Sequence, residues 1–282
     1  VGIGSSIFHP EASRIAFLAS GGKRSFTQAV FQLGGNAGTA LAPLLVILIV
    51  FTKKMVDGQL IEESHLERLL WFVLFPAIAI VILFFIGSWR KKLLQQAQSF
   101  KKREIPVPDL THAQVRNSVI ILMLLVFSKN FYTAGISNYF QFYTIKTFGF
   151  TNAQAQLYLF YYLGAAAAGT LIGGFFGDKV GRKFIIWFSI LGAAPFALWL
   201  PYADAKTTAV LVVLIGFIIS SAFASILVYA QELLPKKIGM ISGVFYGFAF
   251  GMAGLGSAVL GKLIDMTSIT FVYKVCSFLP LM

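Results

Sequence analysis

Near the start of the chain, Ser5, His9, Pro10, Glu11 and Arg14 fall within ten residues of one apolar stretch. At i,i+3 spacing on a helix Glu11 and Arg14 can pair, and a carboxylate held in hydrocarbon titrates nearer neutral pH. That suits a group that takes up and releases a proton, so Glu11 and His9 are candidate proton carriers. The plainer alternative is an ion pair that only holds helices together. A second constellation is Asn130, Thr133, Ser137, Gln141 and Thr144, which share one helical sector of about 80°. Lys129 is the i,i+4 neighbour of Thr133 and lies roughly 18 Å along that helix from Asn117. A base so deep is costly; it either contacts an anion or a proton path, or it snorkels or joins a structural pair. Two further stripes are Gln28, Gln32, Gly35 and Thr39, with Asn36 beside them, and Ser221, Ser225, Tyr229 and Glu232. Glu232 stands near a basic loop, either as a second proton group or as an interfacial charge. Such stripes must face protein or a watery cavity. No nucleophile–base pair, phosphate-cradling loop or metal cluster occurs at usable spacing, and Cys276 stands alone, so the chain does not read as an enzyme.

The elements that position these residues are membrane helices. Of the 282 residues, 57% are hydrophobic and 12% charged, with mean hydropathy +0.79. Soluble proteins average about 45–50% and about 25%. Continuous runs rich in Leu, Ala and Phe, with no period-two polarity, exclude a β-barrel. Spans are expected near 1–18, 26–51, 69–89, 117–145, 154–177, 184–201, 207–233, 240–263 and 268–282. The outer two are partial, so the chain is expected to begin and end inside helices. The net charge of +12 does not form a nucleic-acid stripe, because the bases sit between apolar runs. Loops around Lys23, Arg90, Lys179 and Lys236 hold most of them, and the alternate loops few, which assigns the base-rich set to the cytoplasm. Residues 90–116 form one long polar connection, a cytoplasmic linker between a bundle at 1–89 and another at 117–282. Its bases set orientation or meet lipid headgroups.

Phe8-His9-Pro10-Glu11 resembles Tyr229-Ala230-Gln231-Glu232, each before a short basic loop, and a Gly-rich helix follows each. This pattern suits a parallel repeat of bundles with a midplane site. Gly169, Gly173 and Gly177 recur every fourth residue, and Gly243, Gly247, Gly251, Gly254, Ala258 and Gly261 keep another small face. Both are expected to be packing seams.

Gly174-Phe175-Phe176-Gly177-Asp178-Lys179-Val180-Gly181-Arg182-Lys183 resembles the loop signature of the major facilitator superfamily, Gly-x-x-x-Asp-[Arg/Lys]-x-Gly-[Arg/Lys]-[Arg/Lys]. The resemblance implies an all-α fold of two six-helix bundles, with this loop between helices eight and nine. The chain then runs from within helix four to within helix twelve. Gly4-Ser5-Ser6 with Phe8-His9-Pro10-Glu11 and Ser13-Arg14, Phe31-Gln32 with Gly34-Gly35-Asn36, and Tyr229-Ala230-Gln231-Glu232-Leu233-Leu234-Pro235 resemble fosmidomycin resistance proteins. The superfamily's antiporter signature ends in Gly-Pro, where this chain has Ala42-Pro43.

That resemblance implies a monomeric, proton-coupled exporter of an anionic phosphonate drug in the bacterial inner membrane, with the proton as coupling ion and no cofactor. Arg14, Gln32, Lys129, Asn130, Ser137, Gln141 and Tyr229 are then expected to bind substrate. Glu11, His9 and Glu232 carry the proton, and Gly174, Asp178, Gly181, Arg182 and Lys183 form a conformational gate. An importer of an organic anion, or a membrane receptor or scaffold, stays open as an alternative. Residues 1–282 alone are expected not to transport.

Overall fold

The computed structural model describes residues 2–56, 59–96 and 110–281. It is an all-helical membrane architecture with one small hairpin. Seven of the described helical stretches are long and apolar enough to cross a bilayer. Contacts gather residues 1–44 with 107–282 in one compact unit and residues 45–106 in another. This division differs from that at residues 90–116, because residues 2–44 pack on later helices.

In the first unit, α1 (Gly2–Ala19) runs unbroken through Pro10, and α2 (Arg24–Ile49) through Pro43. The second unit holds a hairpin of β1 (Phe51–Val56) and β2 (Gln59–Ser64), antiparallel with Phe51 opposite Ser64 and Lys53 opposite Glu62. The hairpin falls between the spans expected at 26–51 and 69–89, and two six-residue strands beside a span carry little periodicity to announce them. A 3-10 turn, Leu66–Val73, leads into α3 (Leu74–Gln96), whose apolar run is long enough to cross a bilayer. Thus α3 extends beyond the expected linker start at 90; residues 97–109 lie outside the described residues.

Back in the first unit, α4 (His112–Phe148) starts before the expected 117 because Thr111 and Gln114 make a capping box. Gly149 ends it in the left-handed conformation, and a second capping box, Thr151 with Gln154, starts α5 (Asn152–Lys179). The expected span at 184–201 is broken into α6 (Arg182–Leu191) and α7 (Ala194–Trp199), with Gly192 and Pro195 at the break. The next span is α8 (Ala205–Ser220), capped by Asp204, followed by α9 (Phe223–Leu233). Ser221 Oγ donates to the Ile218 carbonyl at the junction, satisfying locally a group the broken helix frees. The chain continues through α10 (Ile238–Met266) and the short α11 (Ile269–Cys276).

Two apolar clusters anchor the unit, both reaching α4. Tyr132, Ile136, Phe140 and Tyr143 pack with Tyr162 and Ile215. Further toward the start of α4, Leu122 and Val126 pack with Ile186, Ile226 and Phe245. The α5 glycines are a seam: a Cβ at Gly169 or Gly173 would collide with the backbone of Phe217 or Ser221, and at Gly174 with Ala29 of α2. The α10 face is different. Only Gly243 near Pro10 and Gly261 against Tyr139 meet neighbours, while Gly247, Gly251 and Gly254 face open space. That part of the small face is exposed and meets no described helix, a distinction spacing does not encode.

Candidate functional site

A cavity of about 510 Å³ opens between α1, α2, α4, α5 and the α8–α10 region. That is the size of a pocket for a drug-sized ligand. Lys129, Asn130 and Thr133 reach it from α4, and Gln32, Asn36 and Thr39 from α2. Asn36 Nδ2 donates to Thr170 Oγ1 at 2.9 Å, tying α2 to α5 across the cavity wall. Asn130 Nδ2 donates back to its own helix, to the Val126 carbonyl at 2.8 Å. Lys129 is buried, and its Nζ donates to Ser189 Oγ of α6. Among the described residues no carboxylate pairs with it. A buried ammonium satisfied by a single hydroxyl is an attractor for an anion.

The opposite wall is aromatic. The His9 ring lies 5.2 Å from each of Tyr246 and Phe250 and 6.1 Å from Phe31, with Phe8 at 5.6 Å. Sequence reading singled out His9 but missed these rings, because an intramembrane Phe looks the same whether it faces lipid or a cavity.

One end of the cavity is shut by two layers. The inner layer is uncharged: Gln231 Nε2 donates to Ser13 Oγ at 3.0 Å and to Ser242 Oγ at 2.8 Å. Ser13 Oγ donates to Gln28 Oε1 at 3.1 Å, and Gln28 Nε2 to the Tyr246 hydroxyl at 2.8 Å. The outer layer is charged. Glu232 accepts from Arg24 and from Arg182, each at 2.5 Å. Asp178 accepts from the backbone N–H groups of Ser25 and Phe26, at 3.0 and 2.8 Å, so it caps the N-terminus of α2 and meets its positive dipole end. Arg182 also reaches Asp178 at 3.2 Å and Ser25 Oγ at 2.9 Å. Gly181, at φ 104°, turns the chain between Asp178 and Arg182 so that both face α2.

The geometry sorts the expected site residues into groups. His9, Gln32, Lys129 and Asn130 meet at the cavity. Glu232 joins Asp178 and Arg182 in the charged layer, whereas Gly174 packs on α2 within α5. Lys183 Nζ lies 6.0 Å from the Tyr229 ring, outside the cavity lining. Gln141 accepts from Gln156 at 3.0 Å, and neither it nor Ser137 lines the cavity. Arg14 donates to both oxygens of Glu11, at 2.8 and 2.7 Å, in a forked pair whose side chains are 40% and 45% exposed. This pair lies one turn beyond His9. It lines no part of the cavity.

A helical membrane protein with a cavity lined by polar and aromatic side chains, and with ion pairs joining helices beside it, has the build of a carrier. The sequence pattern of the Major Facilitator Superfamily matches residues 1–258, and the chain belongs to that family. This places it outside the enzymes. It is 51% identical over 286 residues to the fosmidomycin resistance protein of Escherichia coli (strain K12), covering 100% of this chain and 66% of that protein. It is 38% identical over 285 residues to the uncharacterized MFS-type transporter YfnC of Bacillus subtilis (strain 168), covering 100% and 67%. A cis,cis-muconate transport protein of Acinetobacter baylyi is 25% identical over 230 residues, covering 79% and 54%. The chain therefore spans about two thirds of the length of the first two relatives.

Proposed function

We propose that the full-length protein is a proton-coupled exporter of fosmidomycin-like phosphonates in the bacterial inner membrane, working by alternating access. The observation that carries the reading is Lys129, a buried base with no acidic partner among the described residues, on a cavity of drug size. A phosphonate supplies the missing charge. Similarity to a fosmidomycin resistance protein supports the choice of anion.

Residues 1–89 and 117–282 belong to two bundles that rock about the cavity, with 90–116 linking them on the cytoplasmic side. Base-rich loops support that orientation. Arg24, Asp178, Arg182 and Glu232 hold the cytoplasmic gate shut, and Gly181, Lys183 and Gly174 let the loop sit close to α2. Glu11 takes up the proton; neutralising its carboxylate releases Arg14 and leaves an uncompensated cation on α1, near the cavity-lining His9. His9 stands between that pair and the cavity and relays the change. Gln32 and Asn130 complete the substrate site at the cavity; Ser137, Gln141 and Tyr229 stand on helices that frame it, off its lining. The protein works as a monomer, with the proton as its coupling ion and no cofactor.

The test is fosmidomycin susceptibility of an efflux-deficient bacterium expressing the full-length protein, beside Glu11→Gln and Lys129→Ala at matched membrane levels. Resistance from the parent, abolished by both substitutions, is the expected result. No resistance from a well-inserted parent overturns the drug assignment. The reading as an importer of an organic anion, favoured by the muconate relative, then takes its place. Proton flux on adding substrate to proteoliposomes separates either carrier from a receptor or scaffold.

A further inference from the structure

We propose that the aromatic wall of the cavity is a second subsite, which takes a flat aromatic ring carried by the anionic substrate. This rests on the reading of the cavity as an anion site and names the rest of the molecule that fits it. The wall is contributed by four helices, with Phe8 and His9 from α1, Phe31 from α2, Phe223 from α9, and Tyr246 and Phe250 from α10. Its rings are set against one another: Tyr246 and Phe250 stack at 6.0 Å and 27°, Phe223 lies 5.8 Å from Tyr246, and Phe8 6.0 Å from Phe31. Phe8 and Phe250 remain 44% and 53% exposed while lining the cavity, so ring surface is left over after the wall has packed on itself.

Two features argue that the free surface serves a ligand. Tyr246 is held in orientation by Gln28 Nε2, bonded to its hydroxyl at 2.8 Å, so the wall is pre-organised and a ring docking on it orders little. Lys129 shares the cavity, which turns away a cationic guest that the aromatic faces would otherwise attract. The ligand that satisfies both walls is an organic anion with a ring: charge toward Lys129, ring against Tyr246, Phe250 and Phe31. A compact aliphatic phosphonate uses only the first wall and leaves the second wet.

The test compares phenylphosphonate with methylphosphonate, two probes of equal charge that differ by the ring, in calorimetric titrations of the purified full-length protein. Phenylphosphonate is expected to bind about tenfold more tightly. Phe250→Leu and Phe31→Leu, which keep bulk and helix, are expected to remove that preference while leaving methylphosphonate binding unchanged, and the unchanged term certifies the fold. Equal binding of the two probes to the parent overturns the ring subsite and leaves the anion site standing. A preference that survives both substitutions also overturns it, since the ring then binds elsewhere. Binding of neither probe overturns the anion reading and the subsite with it.

Discussion

Lys129 holds the charge of the cavity, and its surroundings set what its removal does. With only Ser189 as partner among the described residues, the ammonium is poorly compensated, so Lys129→Met is expected to leave thermal stability unchanged or raised. The same substitution is expected to weaken methylphosphonate binding about 10- to 100-fold, the worth of a buried charge-assisted hydrogen bond. Unfolding midpoints and calorimetry on one preparation check both. A large loss of stability with unchanged binding would make the base structural. Glu232 has the opposite character: it neutralises Arg24 and Arg182 together, 2.5 Å from each. Glu232→Gln leaves two guanidiniums facing one another, so turnover is expected to fall about tenfold or more while substrate affinity stays within about threefold. Asp178→Asn should show the same split, because it weakens the cap on α2 and touches nothing in the cavity. Proteoliposome transport beside equilibrium binding reads the split, and equal loss of both would place these residues at the substrate.

Among the elements, α5 is the one with least freedom. Its glycines let it lie directly on the backbones of α8 and of the junction at Ser221, and against the Ser225 hydroxyl of α9. Gly173→Val inserts three carbons where the Ser221 backbone already lies, and is expected to cost about 3 kcal/mol or to prevent membrane accumulation. Gly247→Ala, with nothing within 4 Å of the added Cβ, is the control and is expected to accumulate normally. Comparable loss in both variants, read by fluorescence-detected gel filtration, would remove the distinction between packed seam and open face. The four-residue spacing is the same in the two helices, so only the neighbouring helix separates them.

For the whole molecule, the proposed gate has two layers: an uncharged cluster of Ser13, Gln28, Gln231 and Ser242 stands beside the ion pairs. Alternating access requires this plug to part in every cycle. Ser13 and Ser242 stand 3.3 Å apart, Oγ to Oγ, on α1 and α10. In the double variant Ser13→Cys, Ser242→Cys, oxidative crosslinking is expected to stop transport in proteoliposomes, and a reductant to restore it. Native Cys276 is buried and leaves the new pair as the reactive one. Continued transport by a fully crosslinked population would show that α1 and α10 do not separate.

The residues alone determined that this is a helical membrane protein, because burying so apolar a chain in water is not feasible and unbroken apolar runs admit only helices. They also marked Lys129, Asn130, Gln32 and His9, since polar groups in hydrocarbon must have a reason to be there. The loop signature likewise announced Asp178 and Arg182. What only the tertiary structure decided is which of the marked residues meet. Glu232 joined the ion pairs through Arg24, a residue 208 positions away. Gln141 turned to Gln156, and five aromatic side chains, unremarkable in sequence, joined His9 in one wall. Helical periodicity assigns a residue to a face, but the partner of that face is set by how helices distant in sequence pack, and no local spacing contains it.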